Sequence, residues 1–168
     1  MNILIKSEHS EVATKINHPR IIQGGMGIAV SDWVLARAVS VAGQLGVVSG
    51  TAINSVMIRR LQMGDIGGHT RRALAHYVTQ YPGVESTELV EKILQMYFVE
   101  GGIAKDIPFK RSPMFQIKSS DFLLRLTALS TYVEIYLAKE GHDGVVGLNL
   151  LENFQTPNVA CLYGALLA

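Results

Sequence analysis

The chain has 168 residues, 48% of them hydrophobic and 17% charged, a balance that suits one globular domain and excludes a disordered tail. Fifteen Lys and Arg against fourteen Asp and Glu leave a net charge of +1, so no global field draws the chain to nucleic acid or anionic lipid, and a small molecule is the expected partner. A single cysteine, Cys161, excludes an internal disulfide framework and suits a reducing cytoplasmic compartment, and no stretch reaches the ~18 uninterrupted apolar residues of a membrane helix.

A polar lead, residues 1–18, carries His9 and His18 in no recognisable motif. Ile21, Ile22 and Gln23 then form a short apolar run broken by Gly24 and Gly25, as a strand entering a tight turn would be. Ser31 and Asp32 offer caps for a helix carrying Trp33, Leu35, Ala38, Val39 and Ala42, which Gly43 ends. Residues 45–48 read as a second strand, punctuated by Ser49, Gly50 and Thr51. Asn54 is placed to cap a helix over 55–62, and a second helix over 70–80 follows the Gly-rich turn at 64–68. The doublets Arg59-Arg60 and Arg71-Arg72 fall in these helices and read as solvated faces.

Ser86 or Thr87 opens another helix, with Leu89, Val90, Ile93, Leu94 and Tyr97 at a 3.6-residue period. Residues 101–118, with Pro108 and Pro113, read as a surface loop. The longest periodic segment covers 121–139, with Phe122, Leu126, Leu129, Val133 and Leu137 on one face, Ser120 as cap and Gly141 as stop. Its apolar face calls for a sheet, and a third strand follows at 145–150. Thr156 with Pro157 reads as the start of a last helix that runs apolar to Ala168, a pattern expected of a parent protein that continues further. The alternation of strand and helix gives an α/β fold of about three βα units, with a helical insertion after the second strand and parallel pairing.

The glycines of Gln23-Gly24-Gly25-Met26-Gly27 sit where backbone amides can approach a flat or anionic ligand, although taken alone they read more readily as a tight turn. Ser49-Gly50 has the same character after the second strand. Asn149 puts a carboxamide in an apolar strand and needs a partner, either a ligand or a neighbouring segment. His142-Asp143 precedes the third strand and reads as a turn; Glu134 and Glu140 read as solvated charges, and Cys161 as a small core residue. His69 and His76 lack a third ligand at metal spacing, so no metal site is expected.

Taken together, residues 19–27, 43–50 and 138–152 resemble the nitronate monooxygenase-like flavoproteins, once called 2-nitropropane dioxygenases, and the resemblance extends from Pro19 to Ala168. It implies an FMN-dependent (β/α)8 TIM barrel of which residues 19–168 supply the first three βα units and the 168 residues an incomplete domain. It places Gln23, Gly24, Gly25 and Met26 against the flavin ring, Ser49 and Gly50 at its rim, and Asn149 in hydrogen-bonding reach of it. The implied activity is oxidation of nitronates or similar activated carbon acids with oxygen. The first motif is shared with flavin-dependent enoyl-thioester reductases, which form the alternative on the same barrel. In the family, the histidine assigned to substrate chemistry and the phosphate-binding loops belong to later strands, so the catalytic residues are unknown from this chain; the resemblance assigns the activity to a full-length parent and implies that these 168 residues alone are inactive. An inactive truncated product is the non-enzymatic alternative, and its open sheet edges would favour self-association.

Overall fold

The computed structural model describes residues 18–153 and 155–168; most of the polar lead, including His9, lies outside them. In chain order the elements are α1 (Trp33–Val41), β1 (Gly46–Ser49), α2 (Ile53–Gln62), a 3-10 turn (Ile66–Gly68), α3 (His69–Gln80), α4 (Val84–Tyr97), α5 (Asp121–Lys139), β2 (Val146–Asn149) and α6 (Gln155–Leu167). The protein is mixed α/β. The two strands run parallel, with Gly46 opposite Val146 and Ser49 opposite Asn149.

The strand expected at 21–23 is reduced to one parallel bridge, Ile22 with Leu45, held by hydrogen bonds from Gln23 N to Leu45 O (2.9 Å) and from Leu45 N to Ile21 O (3.1 Å). Ile21 and Ile22 stay 63% and 64% exposed, because no helix of the described chain covers this edge. The three segments nevertheless keep one direction, with β1 in the middle. Residues 45 to 48 are displaced by one position relative to the observed strand, which ends at Ser49.

Helix starts show which local signals operate. Asp32 caps α1 by accepting from Val34 N (3.1 Å) and Leu35 N (3.2 Å), and the Ser120 hydroxyl caps α5 by accepting from Leu123 N (3.3 Å). Two other expected caps are displaced. Ala52, in left-handed conformation at φ 51°, occupies the cap position of α2, which leaves Asn54 inside the helix. Gly83 precedes α4, so Ser86 and Thr87 fall within its first turn, and α6 begins at Gln155, ahead of Thr156. Residues 101–118 contain neither helix nor strand.

Two apolar cores meet at α5. One is helical and unites Met57, Leu61, Leu74, Ile93, Tyr97 and Leu129 from α2, α3, α4 and α5. The other joins Ala36, Val48, Ile53, Ile135, Ala138 and Cys161, linking α1, β1, the start of α2, α5 and α6. The sheet therefore accounts for a minor part of the burial of α5, whose apolar periphery is covered chiefly by helices. A small helical residue row makes this possible: Ala160, Cys161 and Gly164 form the buried stripe of α6 against α5.

Among the charges expected on solvated faces, Arg59, Arg71 and Arg72 are exposed, whereas Glu134 and Arg60 turn out to be structural. Glu134 is 2% exposed; its carboxylate accepts from Trp33 N (3.0 Å) and pairs with Arg60, which also reaches Asp32 at 3.2 Å. The network joins the start of α1 to α2 and α5, and it explains why Arg60 is not a free surface cation. Arg72 pairs with Glu140 at 2.6 Å, and Arg37 Nε donates to the Glu140 carbonyl (3.1 Å).

Asp65 is buried ahead of α3 and accepts from Thr70 N and Arg71 N, both at 2.9 Å. Burial pushes its carboxyl up, but the backbone and side-chain hydrogen bonds from Arg71 and Thr70 together bring it below the ordinary 3.8. A lowered folded value contributes stability above pH 3.8 that is lost as pH falls through the folded value. Asp65→Asn is accordingly expected to lower the urea midpoint at neutral pH, with the gap to wild type closing below about pH 3.8. A gap that widens on acidification would contradict this role.

Candidate functional site

The C-terminal ends of the parallel strands bring together most of the residues singled out in the sequence. Gln23 is fully engaged by the scaffold: its Oε1 accepts from Val47 N (2.9 Å), and its Nε2 donates to Gly24 O (2.5 Å) and to Ser31 Oγ (2.5 Å). The Gln23 side chain thus ties the glycine turn to β1 and to the start of α1. Asn149 Nδ2 donates to Gly25 O at 3.2 Å, across 124 residues of chain. The Asn149 side chain lies so close to Gly25 that a Cβ there would overlap it, which accounts for glycine at this position.

Gly24 and Gly27 are exposed. A Cβ on either would meet no atom within 4 Å, so the outer side of the turn is open, with Met26 48% exposed beside it. Gly50 N donates to Asn149 O at 2.9 Å, which carries the pairing one residue past the strands. Ser49 is buried instead of standing at a rim. Its backbone N donates to Ser31 O (2.8 Å), while its hydroxyl is buried without a hydrogen-bond partner.

Beside Gly50 opens a cleft of about 520 Å³. Its walls come from distant parts of the chain: residues 50–55 at the start of α2, 112–115 in the long loop, Leu151 with Thr156, Pro157 and Asn158 around the start of α6, and the single residues Ile28 and Thr127. None of the residues lining it carries a charge. Two buried carboxamides on α2 fix the loop wall. Asn54 Nδ2 donates to Ser112 Oγ (2.8 Å), and Gln62 clamps Lys110 by accepting from its N (2.7 Å) and donating to its O (3.0 Å). Sequence reasoning missed both clamps. Asn54 was expected to be a cap, and Gln62 carried no signal except being a polar residue in a helix that proves almost wholly buried.

The histidines lie elsewhere. His142 Nδ1 accepts from Gly144 N (3.0 Å) and Nε2 faces Ala138 O (2.6 Å), a turn lock ahead of β2 at the strand end opposite Asn149. His76 Nδ1 lies 2.7 Å from Tyr132 Oη and the ring stacks on Tyr136. Burial and the neighbouring tyrosines push the Tyr132 hydroxyl up to about 12, so it remains a neutral donor near neutral pH. His69 packs against Trp33, its Nδ1 buried without a partner. Cys161 is fully buried, and burial pushes its thiol up, which leaves it an inert core group. Among the described residues no three His, Cys, Asp or Glu side chains gather at metal-binding distance, and no helix is long and apolar enough to cross a membrane.

The sequence matches no family model, and no curated protein or solved structure matches it.

Proposed function

We propose that this chain forms part of the FMN cradle of a nitronate monooxygenase-like oxidoreductase, and that its two strands and bridged segment are the first staves of a (β/α)8 barrel. The observation carrying the proposal is the Asn149 to Gly25 hydrogen bond, which joins the glycine turn to the far strand at the C-terminal edge of a parallel sheet. Barrels and other parallel α/β sheets bind their ligands at that edge.

The residues fit the group. Open space over Gly24 and Gly27 leaves room for a flat ring at backbone distance, and the buried, unpartnered Ser49 hydroxyl lies directly beneath this edge in sequence and strand order. FMN, when bound, would accept the electron pair from an activated carbon acid and pass it to oxygen. The chain's own contribution is positional. Gln23 locks the turn to β1 and the start of α1 with both ends of its amide, and Asn149 holds the Gly25 carbonyl. The catalytic base is not among the residues assigned here.

The activity is tested on a complete barrel that contains this chain, loaded with FMN and mixed anaerobically with a nitronate. The expected result is bleaching of the oxidised flavin band, recovered on admitting oxygen. Bleaching by NADPH but not by nitronate would replace this reading with an enoyl-thioester reductase.

A further inference from the structure

The uncharged cleft beside Gly50 has the size of a small-molecule site, within the ~300–1,000 Å³ usual for such pockets. Its chemistry separates it from four other clefts of the surface. Those four each carry charged side chains: Glu85 and Arg125 in one, Asp32, Arg60 and Asp65 in the next, Arg59, Lys110 and Arg111 in a third, Lys139 and Glu140 in the last. The cleft beside Gly50 offers Ile53, Pro113, Met114, Phe115, Leu151 and Pro157 with only neutral hydroxyls and carboxamides between them. An ionic group would find no partner there, whereas methylenes would leave water for an apolar wall.

The loop that completes the cleft is held deliberately. Asn54 is 5% exposed and Gln62 3%, and both spend their carboxamides on loop atoms, at Ser112 and at Lys110. Burying two amides is favourable only if their hydrogen bonds are met, so the clamps fix the loop position strongly. Just past the second clamp comes Met114, 85% exposed at the cleft's lip, followed by half-buried Phe115. A large flexible apolar side chain held out in water at the mouth of an uncharged cleft has little to gain from the free protein, and an apolar ligand would cover it. Ala52, strained into the left-handed region at φ 51°, lines the same cleft.

We infer that this cleft binds the uncharged aliphatic portion of a small molecule, and that Met114 and Phe115 set the chain length it accepts. The inference rests on the proposed site in one respect, that the cleft adjoins Gly50 and so would hold the tail of a molecule whose reactive end lies over the glycine turn. It is tested without flavin, so the two can fail separately.

The experiment titrates the full chain, labelled with 13C-methyl methionine, with straight-chain 1-alkanols from butanol to decanol, following the Met114 methyl signal. Saturable binding is expected to tighten about fourfold per added methylene until the cleft is full. Met114→Trp should move that plateau to shorter alkanols; since Met114 is 85% exposed, its fold should survive, as circular dichroism would verify. Phe115→Ala should move the plateau to longer ones. Decanoate at neutral pH should bind at least tenfold more weakly than decanol. The inference is overturned if the alkanols bind without saturation or without dependence on length, if decanoate binds as tightly as decanol, or if Met114→Trp leaves the plateau in place.

Discussion

Arg60→Ala is expected to lose about 3–5 kcal/mol of stability at neutral pH, because it strips the charge partner from a carboxylate with no access to water. Glu134 is 2% exposed, and without Arg60 it would keep only the Trp33 N–H at 3.0 Å. Burial already pushes its carboxyl above the ordinary 4.5, with Arg60 and the Trp33 N–H pulling the other way and Asp32 adding to the rise. A raised folded value means that the folded chain holds this proton more tightly than the unfolded chain. The resulting stability is present below pH 4.5 and is lost as pH rises through the folded value. Removing Arg60 raises that value further, so the deficit of Arg60→Ala should be largest near neutrality and should narrow as pH falls toward 4.5. Urea unfolding across the pH range measures it. A deficit under about 1 kcal/mol, as for an exposed pair, would contradict the buried network.

Gly164→Ala is expected to cost about 2–3 kcal/mol even though alanine is the better helix former by about 1 kcal/mol. The added Cβ would overlap the Ala128 carbonyl, which is backbone of α5 and cannot rotate aside. The α5 and α6 axes would have to separate, loosening the Cys161 and Ala138 core. Alanine at Gly83, where a Cβ meets nothing within 4 Å, serves as the comparison for a glycine without such a contact. A lower urea midpoint for Gly164→Ala alone is the expected pattern; equal midpoints would show that α6 can move away freely.

Local signals in the sequence were read well where one element supplies them. The Ser120 cap, the apolar period of 121–139 and the Gly141 stop, at φ +77°, lie within a few residues of each other, and α5 spans that range. The parallel arrangement was legible because β-branched runs alternate with helical periods, and the short strands follow from it. What escaped is long-range. Glu134 stands one residue off the apolar stripe of α5, a slot that in most helices faces water, and its partners are 74 and 101 residues away. Asn54 has the residue type of a helix cap, yet its partner is Ser112, 58 residues on.

The candidate site divides in the same way. The glycine turn was visible as a pattern, and so was the need of Asn149 for a partner, but only the fold shows that the two satisfy each other through Gly25 O. Ser49-Gly50 reads as one rim feature in sequence, whereas strand alternation turns the Ser49 side chain inward and leaves Gly50 at the cleft. The uncharged cleft itself has no sequence signature, since its walls come from stretches far apart in the chain that meet only in the folded protein.

The central claim is that the open glycine turn receives a flavin ring. It is tested most directly by titrating the chain with FMN, followed by quenching of flavin fluorescence, beside the variant Gly24→Val. The backbone at Gly24 is not in the left-handed region and a side chain there meets no atom within 4 Å, so the variant should unfold at the same urea concentration as wild type. The account predicts saturable one-to-one quenching by wild type and binding weaker by at least about tenfold in Gly24→Val, since the valine would occupy the space of the ring. Equal quenching by the two proteins, or none by wild type at millimolar FMN, would contradict it.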